Sequence, residues 1–126
     1  MTSTRAARPR PPDQDYATRY IGQTVSLEID RPLGSAHPEH DDFLYELNYG
    51  YVPDTLAPDG EEVDAYVLGL ARPVGTFSGR CVAVIRRTDD DDDKLVVVPD
   101  GVSVTDAEIQ DATRFCEQYF ESVIER

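Results

Sequence analysis

The chain has 126 residues, of which 40% are hydrophobic, and its formal net charge is -13. This length suits one domain with a modest core. The charge disfavours binding to nucleic acid or to an anionic membrane, because no basic stripe offsets phosphate repulsion, and no apolar run is long enough to span a bilayer. No signal-peptide apolar segment follows the arginine-rich start. We therefore expect a cytoplasmic protein whose partners are cations, or anions carried by cations.

The first residues have a composition that does not favour folding. From Met1 to about Asp15 the chain combines Ser, Thr, Arg and Pro with almost no apolar side chains. Burial therefore cannot offset the entropy lost on ordering this segment. We predict a mobile N-terminal tail over residues 1–20 and one folded domain over residues 21–126.

Five segments have the pattern of β-strands. Apolar and polar residues alternate from Val25 to Ile29, so Glu28 points away from the apolar face. Residues 45–51 alternate in the same way. Three more short apolar runs, separated by Pro, Gly and Asp, cover residues 65–70, 79–87 and 94–98. Five strands at this spacing predict a small Greek-key, OB-like β-barrel.

The C-terminal segment has a helical pattern instead. Thr105 followed by Glu108 is typical of a capping box at the start of a helix. Apolar residues then recur at helical spacing, at Ile109, Ala112, Cys116, Tyr119, Phe120 and Val123. We predict an α+β domain closed by one amphipathic helix, with most of these side chains in the core. Tyr119 is the exception, because a buried hydroxyl needs a polar partner.

The two cysteines have two interpretations. Cys81 lies in a strand-like run and Cys116 on the predicted helix. Both side chains suit a core, where a free thiol behaves as a small apolar group. A single disulfide between them is the alternative.

Two acidic clusters lie between predicted strands, at residues 59–64 and 89–93, and Lys94 follows the second. Close pairs of like charges repel by roughly 1 to 4 kcal/mol, so folding the clusters together requires a counterion. Carboxylates without neighbouring His or Cys favour Mg²⁺, Mn²⁺ or Ca²⁺ over zinc. A solvated acidic loop is the alternative interpretation of such a run.

An ordered set of motifs lies between residues 48 and 96. They are Asn48-Tyr49-Gly50-Tyr51, Thr55-Leu56, Asp59-Gly60-Glu61-Glu62-Val63-Asp64, Thr88-Asp89 and Asp92-Asp93-Lys94-Leu95-Val96. In this order they resemble the soluble, family I inorganic pyrophosphatases, and the chain is similar to a short, divergent member. The resemblance covers roughly residues 24–99 and implies a pyrophosphatase-like barrel. It also implies a homo-oligomer that uses Mg²⁺ and a metal-activated water to hydrolyse inorganic pyrophosphate to two phosphates.

The resemblance implies roles for individual side chains. The implied metal ligands are Glu28, Asp59, Asp64, Asp89 and Asp92. Tyr49, Lys94 and Tyr119 would contact phosphate, and the first two would also serve catalysis. Glu61 would orient or deprotonate the attacking water. The ligand register within residues 89–93 stays open, and Asp92 is favoured because it lies two residues before Lys94 on the same side of an extended chain.

The chain departs from the family pattern at three places. Glu61 stands where the family has aspartate, which moves the carboxylate about one methylene outward. The segment between Glu28 and Tyr49 is shorter and lacks the usual lysine and arginine. Phe120 stands where the family has lysine, so a further phosphate contact is lost.

Residues 30–40 offer replacements for the missing groups. Arg31 suits phosphate, because its planar fork matches phosphate oxygens. His37 and His40 are either surface loop residues or groups that contact substrate or transfer protons. We interpret Arg86 and Arg87 as solvated charges at a strand end.

Three functions follow from these observations. The first is Mg²⁺-dependent hydrolysis of a phosphoanhydride, with pyrophosphate as the small-molecule substrate. The second keeps the metal site but acts on a larger phosphorylated metabolite or nucleotide, because fold does not fix substrate. The third is a relative that binds divalent cations without catalysis.

Overall fold

The computed structural model describes residues 16–88 and 92–126. A short 3-10 helix (Thr18–Tyr20) precedes the first strand. The strands are β1 (Thr24–Arg31), β2 (Ala36–His37), β3 (His40–Leu44), β4 (Asn48–Val52), β5 (Val63–Val67), β6 (Thr76–Arg87), β7 (Lys94–Val98) and β8 (Ser122–Glu125). One helix, α1 (Asp106–Glu117), lies between β7 and β8. The predicted α+β fold is confirmed.

Five of the strands close into a barrel. They pair in the order β1, β4, β5, β7 and β6, and β6 pairs back with β1. The β5–β7 pair is parallel and the other pairs in the barrel are antiparallel. These strands correspond to the five predicted apolar runs. The sequence pattern did not predict the β2–β3 hairpin, which falls in the segment interpreted as a loop, or β8, which pairs with β6 outside the barrel.

The barrel has two apolar faces, as expected when strand residues alternate in direction. Val25, Leu27 and Ile29 belong to one buried cluster, with apolar side chains from β5, β6 and β7. The opposite face packs against α1 through Ile109 and carries Tyr66. Glu28 lies between two buried neighbours and is itself exposed, as predicted.

Gly50 explains why the Asn-Tyr-Gly-Tyr strand contains a glycine. A Cβ atom at this position would overlap the backbone carbonyl of Glu28 on β1. Only glycine therefore permits the close approach of β4 to β1. This approach brings the strand that carries Glu28 next to the strand that carries Tyr49.

The start of α1 follows the prediction and its end does not. The Thr105 hydroxyl accepts from the Glu108 amide at 3.1 Å, and the Glu108 carboxylate accepts from the Thr105 amide at 2.8 Å, which forms the capping box. The helix ends at Glu117, so the helical positions predicted for Tyr119, Phe120 and Val123 are wrong. The chain turns back here because residues 122–125 pair with β6 and satisfy its edge.

The described chain begins inside the segment predicted as a tail. Tyr16 and Ala17 are buried against the barrel, although the predicted domain began at residue 21. Tyr16 accepts a hydrogen bond from the Asp93 amide at 3.0 Å, which anchors this segment to the loop before β7. The mobility predicted for residues 1–15 concerns residues outside the described range and stays a prediction.

Both cysteines are free thiols. Cys81 is buried in the barrel, and Cys116 is half-buried against the cluster beneath α1. The alternative of a disulfide between them is therefore wrong. None of the helices in the described residues combines the length and the apolar character that crossing a membrane requires.

Candidate active site

The strand registers place several predicted site residues in one row. Glu28 on β1 pairs with Tyr51 on β4, and Tyr51 pairs with Asp64 on β5. Asp64 in turn pairs with Lys94 at the start of β7. Because paired residues of neighbouring strands point to the same face, the fold brings Glu28, Asp64 and Lys94 to one side of the sheet.

Lys94 lies at the centre of the site. Its side chain is only 4% exposed. The ammonium donates to the Tyr49 hydroxyl at 2.7 Å, to Asp64 Oδ2 at 2.9 Å and to Asp92 Oδ2 at 2.8 Å. An ammonium has three N–H donors, so these contacts use all of them. One buried cation thus joins a carboxylate from each acidic cluster.

The protonation equilibria reflect this arrangement. Burial disfavours the charged form of Lys94, but Tyr49, Asp64 and Asp92 outweigh it and raise the pKa of Lys94. Lys94 therefore stays protonated at neutral pH. Burial raises the pKa of Asp64, and the nearby charge of Asp92 acts in the same direction, whereas Lys94 opposes it. Burial also raises the pKa of Tyr49, which remains a neutral hydroxyl.

The residues at this centre fit a hard divalent cation in their chemistry. Asp64 and Asp92 supply carboxylate oxygens, the ligands that Mg²⁺ prefers. Their side chains are 24% and 32% exposed, so the site is open to solvent on one side. Within residues 16–88 and 92–126, however, no three side chains of the His, Cys, Asp or Glu type are grouped closely enough to share a metal ion. The structure therefore brings Asp64 and Asp92 together but does not add Asp59 to them.

Asp59 and Glu61 lie in an exposed turn before β5. The Glu61 amide donates to Asp59 Oδ1 at 3.0 Å, and Gly60 between them has a positive φ of 88° that favours glycine. Thr55 fixes the base of this turn, because its hydroxyl donates to the Val52 carbonyl at 2.6 Å and accepts from the Val63 amide at 3.0 Å. Thr55 of the Thr-Leu motif therefore anchors the base of the acidic turn.

The histidines belong to the β2–β3 hairpin. His37 and His40 face each other in its register, and their ring centroids are 5.0 Å apart. The His37 ring also lies 6.3 Å from the Tyr45 ring, nearly parallel to it. Arg31 donates to the Tyr45 hydroxyl at 2.8 Å. A series of rings continues from Tyr45 to Tyr49, whose hydroxyl accepts from Lys94.

Arg87 corrects one interpretation of the sequence. It is not a solvated strand-end charge, since its side chain is only 6% exposed. Its guanidinium makes two hydrogen bonds to Glu117 on α1, at 3.2 and 2.9 Å, and lies 3.6 Å from Asp92 Oδ2. Glu117 also accepts from the Tyr66 hydroxyl at 2.7 Å. Ile109, Thr113 and Glu117 are spaced four residues apart and therefore lie on the same, buried face of α1. A carboxylate on a buried face needs a cation as its partner, so the position of Glu117 was a signal in the sequence for this ion pair.

One further predicted site residue is exposed beyond the end of α1, and another falls outside the described residues. Tyr119 follows the end of α1 and is 68% exposed. Asp89 lies outside the described residues, so its predicted metal contact stays a prediction. Phe120, at a position where the family has lysine, packs its ring 3.6 Å from the Arg87 guanidinium carbon.

A comparison with protein families decides what kind of chain this is. A sequence model described as inorganic pyrophosphatase matches residues 20–125. The chain belongs to the inorganic pyrophosphatase family. The resemblance seen in the ordered motifs is confirmed, and the pyrophosphatase match covers nearly all of the described residues.

Individual pyrophosphatases show how much of each relative the chain matches. The inorganic pyrophosphatase of Helicobacter pylori is 36% identical over 94 residues, which cover 71% of this chain and 51% of the relative. That of Aquifex pyrophilus is 32% identical over 99 residues, which cover 71% of this chain and 55% of the relative. The chain thus spans about half the length of the curated relatives it matches.

A solved structure supports the same fold. The crystal structure of inorganic pyrophosphatase from Ehrlichia chaffeensis aligns with a TM-score of 0.61, covering 81% of this chain and 84% of that chain. The sequence identity is 20%, so this match concerns the pyrophosphatase fold alone.

Proposed function

We propose that this chain hydrolyses inorganic pyrophosphate to two phosphates in a Mg²⁺-dependent reaction. The observation that carries the proposal is the Lys94 ammonium, which is bonded to Asp64 of one acidic cluster and Asp92 of the other. A fixed cation beside converging carboxylates suits the recognition of a phosphoanhydride together with its metal. Membership of the family supports the same substrate.

The residues proposed to hold Mg²⁺ are Asp64 and Asp92, with Glu28, Asp59 and Asp89 as further ligands. Because Mg²⁺ keeps several waters and takes only one or two carboxylates, these five ligands would be shared among more than one Mg²⁺ ion. When bound, Mg²⁺ would neutralise phosphate charge and lower the pKa of a water molecule.

The remaining roles belong to the chain's own side chains. Lys94 would exchange one of its present acceptors for a phosphate oxygen of the substrate, while Tyr49 holds its ammonium in place. Arg31 would bind a second phosphate with the donors that Tyr45 does not use. Glu61 would orient the attacking water and accept its proton. Tyr119 remains a candidate phosphate contact that would require the exposed turn after α1 to meet the substrate.

The test measures phosphate release from pyrophosphate with and without Mg²⁺. We expect Mg²⁺-dependent release by the wild type and a loss of at least about 100-fold in Asp64→Asn, since one neutralised ligand weakens both the metal and Lys94. Asp111→Asn, an exposed carboxylate on α1, should retain the wild-type rate. A metal-replete wild type no faster than Asp64→Asn contradicts the proposal, provided that circular dichroism shows both proteins folded.

A second candidate substrate is a larger phosphorylated metabolite or nucleotide. The β2–β3 hairpin favours it, because His37, Phe43 and Tyr45 form a cluster of rings next to Arg31. Rings at this position would stack on a planar group attached to the phosphates. If this candidate is correct, nucleoside diphosphates and triphosphates are hydrolysed faster than pyrophosphate, and His37→Ala removes that preference without changing the rate on pyrophosphate.

The third candidate function is binding of divalent cations without catalysis. In that case calorimetry would detect Mg²⁺ binding that Asp64→Asn abolishes, but no phosphate compound would be turned over.

We further propose that the chain acts in the cytoplasm as a homo-oligomer, on the basis of its family. Light scattering coupled to size exclusion measures the assembly directly, and a mass of one chain would contradict it.

A further inference from the structure

Arg87 and Glu117 form a buried ion pair that the proposed reaction does not use. Their side chains are 6% and 8% exposed. Even a paired and hydrogen-bonded buried ion pair adds little net stability, because removing both charges from water is costly. Stability alone therefore does not explain why this position holds an ion pair. The pair lies between the end of β6 and the end of α1, directly beside Asp92.

The Arg87 guanidinium is held along one edge and over one face. Glu117 accepts from Nε at 3.2 Å and from Nη2 at 2.9 Å, which fixes the plane of the fork. The Phe120 ring lies over the guanidinium carbon at 3.6 Å. Glu117 is itself held by the buried Tyr66 hydroxyl at 2.7 Å. Arg87 therefore has little rotational freedom left.

The third nitrogen of this rigid group points toward the candidate active site. Arg87 Nη1 lies 3.6 Å from Asp92 Oδ2, the same oxygen that accepts from Lys94 at 2.8 Å. Lys94 is a flexible chain with a rotating head group, and it shares its donors with Asp64 and Tyr49. Lys94 alone therefore fixes the direction of the partly exposed Asp92 carboxylate less well than the two cations together.

We propose that Arg87 is a positioning residue that fixes the Asp92 carboxylate beside Lys94, with Glu117 and Phe120 holding Arg87 in place. The end of α1 thereby sets the geometry of the candidate metal site. Phe120, where the family has lysine, gains a role as the apolar cover of this cation. The inference rests on the proposed function only in its consequence for Mg²⁺ affinity, because the positioning itself is a property of the folded chain.

The first measurement uses hydrogen exchange and needs neither metal nor substrate. The Asp93 amide, which donates to Tyr16 at 3.0 Å, reports on opening of the chain at Asp92. In Arg87→Met/Glu117→Gln we expect the exchange rate of this amide to rise at least about tenfold, with the amides of Val96 and Val97 unchanged. This double variant removes both buried charges and keeps an oxygen acceptor for Tyr66, so it avoids the unpaired carboxylate that Arg87→Met alone would create.

The matched control is Arg86→Met. Arg86 is the neighbouring arginine on β6 and pairs with Glu125 on β8 at 2.7 Å. The Arg86→Met substitution removes an ion pair of similar length that does not involve Asp92. The hydrogen-exchange rate of the Asp93 amide in this variant should therefore match that of the wild type. Arg87→Lys should fall between the wild type and the double variant, because an ammonium restores the charge but not the planar fork.

The second measurement is Mg²⁺ affinity by calorimetry. Residues that orient a metal ligand typically change affinity by about 10- to 100-fold, so we expect a loss of that size in the double variant and none in Arg86→Met. Unchanged Asp93 exchange in the double variant, or a rise equal to that of Arg86→Met, overturns the inference. If the wild type binds no Mg²⁺ and hydrolyses no phosphate compound, the proposed function fails, and the exchange comparison still decides the role of Arg87.

Discussion

The two acidic clusters differ in how firmly the fold holds them. In residues 59–64, Asp64 lies within β5 and pairs with Lys94, whereas Asp59 and Glu61 lie in an exposed turn with local contacts. In the described part of the second cluster, Asp92 forms ion pairs with Lys94 and Arg87. The comparison teaches that a carboxylate is fixed where it lies against a buried cation, and not where acidic residues are merely numerous.

The largest effect is expected from removing the cation that joins the clusters. Lys94→Met leaves Asp64 without its buried cation and leaves Asp92 with Arg87 at 3.6 Å, which should lower the free energy of unfolding by about 3 kcal/mol in EDTA. Mg²⁺ should raise the free energy of unfolding of Lys94→Met by more than it raises that of the wild type, since the ion replaces the missing positive charge. Pyrophosphate hydrolysis should fall at least about 100-fold, because the phosphate contact is absent.

Chemical denaturation with and without Mg²⁺, together with a phosphate assay, checks this prediction. Arg80→Met is the matched control, because Arg80 is an exposed strand residue 3.9 Å from Asp100. A Lys94→Met protein as stable as Arg80→Met in EDTA would show that the two clusters do not depend on Lys94.

An intermediate effect is expected in the exposed turn. Glu61→Asp shortens the carboxylate by one methylene and restores the residue found in the family, so we expect kcat/KM for pyrophosphate to rise about tenfold. Glu62→Asp makes the same change one residue away and should leave kcat/KM as it is. A fall in kcat/KM on shortening Glu61 would indicate that the longer side chain already has the length this turn requires.

The smallest effect is expected from a turn carboxylate with no assigned role. Glu62→Gln should change the free energy of unfolding by no more than about 0.5 kcal/mol, as for most exposed substitutions. Thermal unfolding at matched ionic strength measures this. A destabilisation comparable to that of Lys94→Met would contradict the contrast between the two regions.

Sequence patterns predicted the barrel because period-two alternation and glycine punctuation are local signals. The resemblance to the pyrophosphatase family implied site roles for Glu28, Asp64 and Lys94, and the strand pairing places these three residues on one face of the sheet. The β2–β3 hairpin and β8 were missed, since β2 has only two residues and β8 reads as a continuation of the helical spacing.

Arg87 was misinterpreted for a different reason. Its burial depends on α1 crossing the end of β6, and a contact between residues 30 positions apart leaves no periodic trace. The one available signal was Glu117 on the buried face of the helix, because a carboxylate there requires a cation. The length of the helix was overestimated because turn residues after Glu117 kept the apolar spacing.

The most direct test of the central claim is a double-mutant cycle between Asp64 and Asp92, read out as Mg²⁺ affinity by calorimetry. If the two acidic clusters meet at one cation site, Asp64→Asn and Asp92→Asn each weaken binding, and the double variant differs from their sum by a coupling energy of about 1 to 3 kcal/mol. Additive losses, or binding that neither substitution weakens, would contradict the claim that the clusters form a single site.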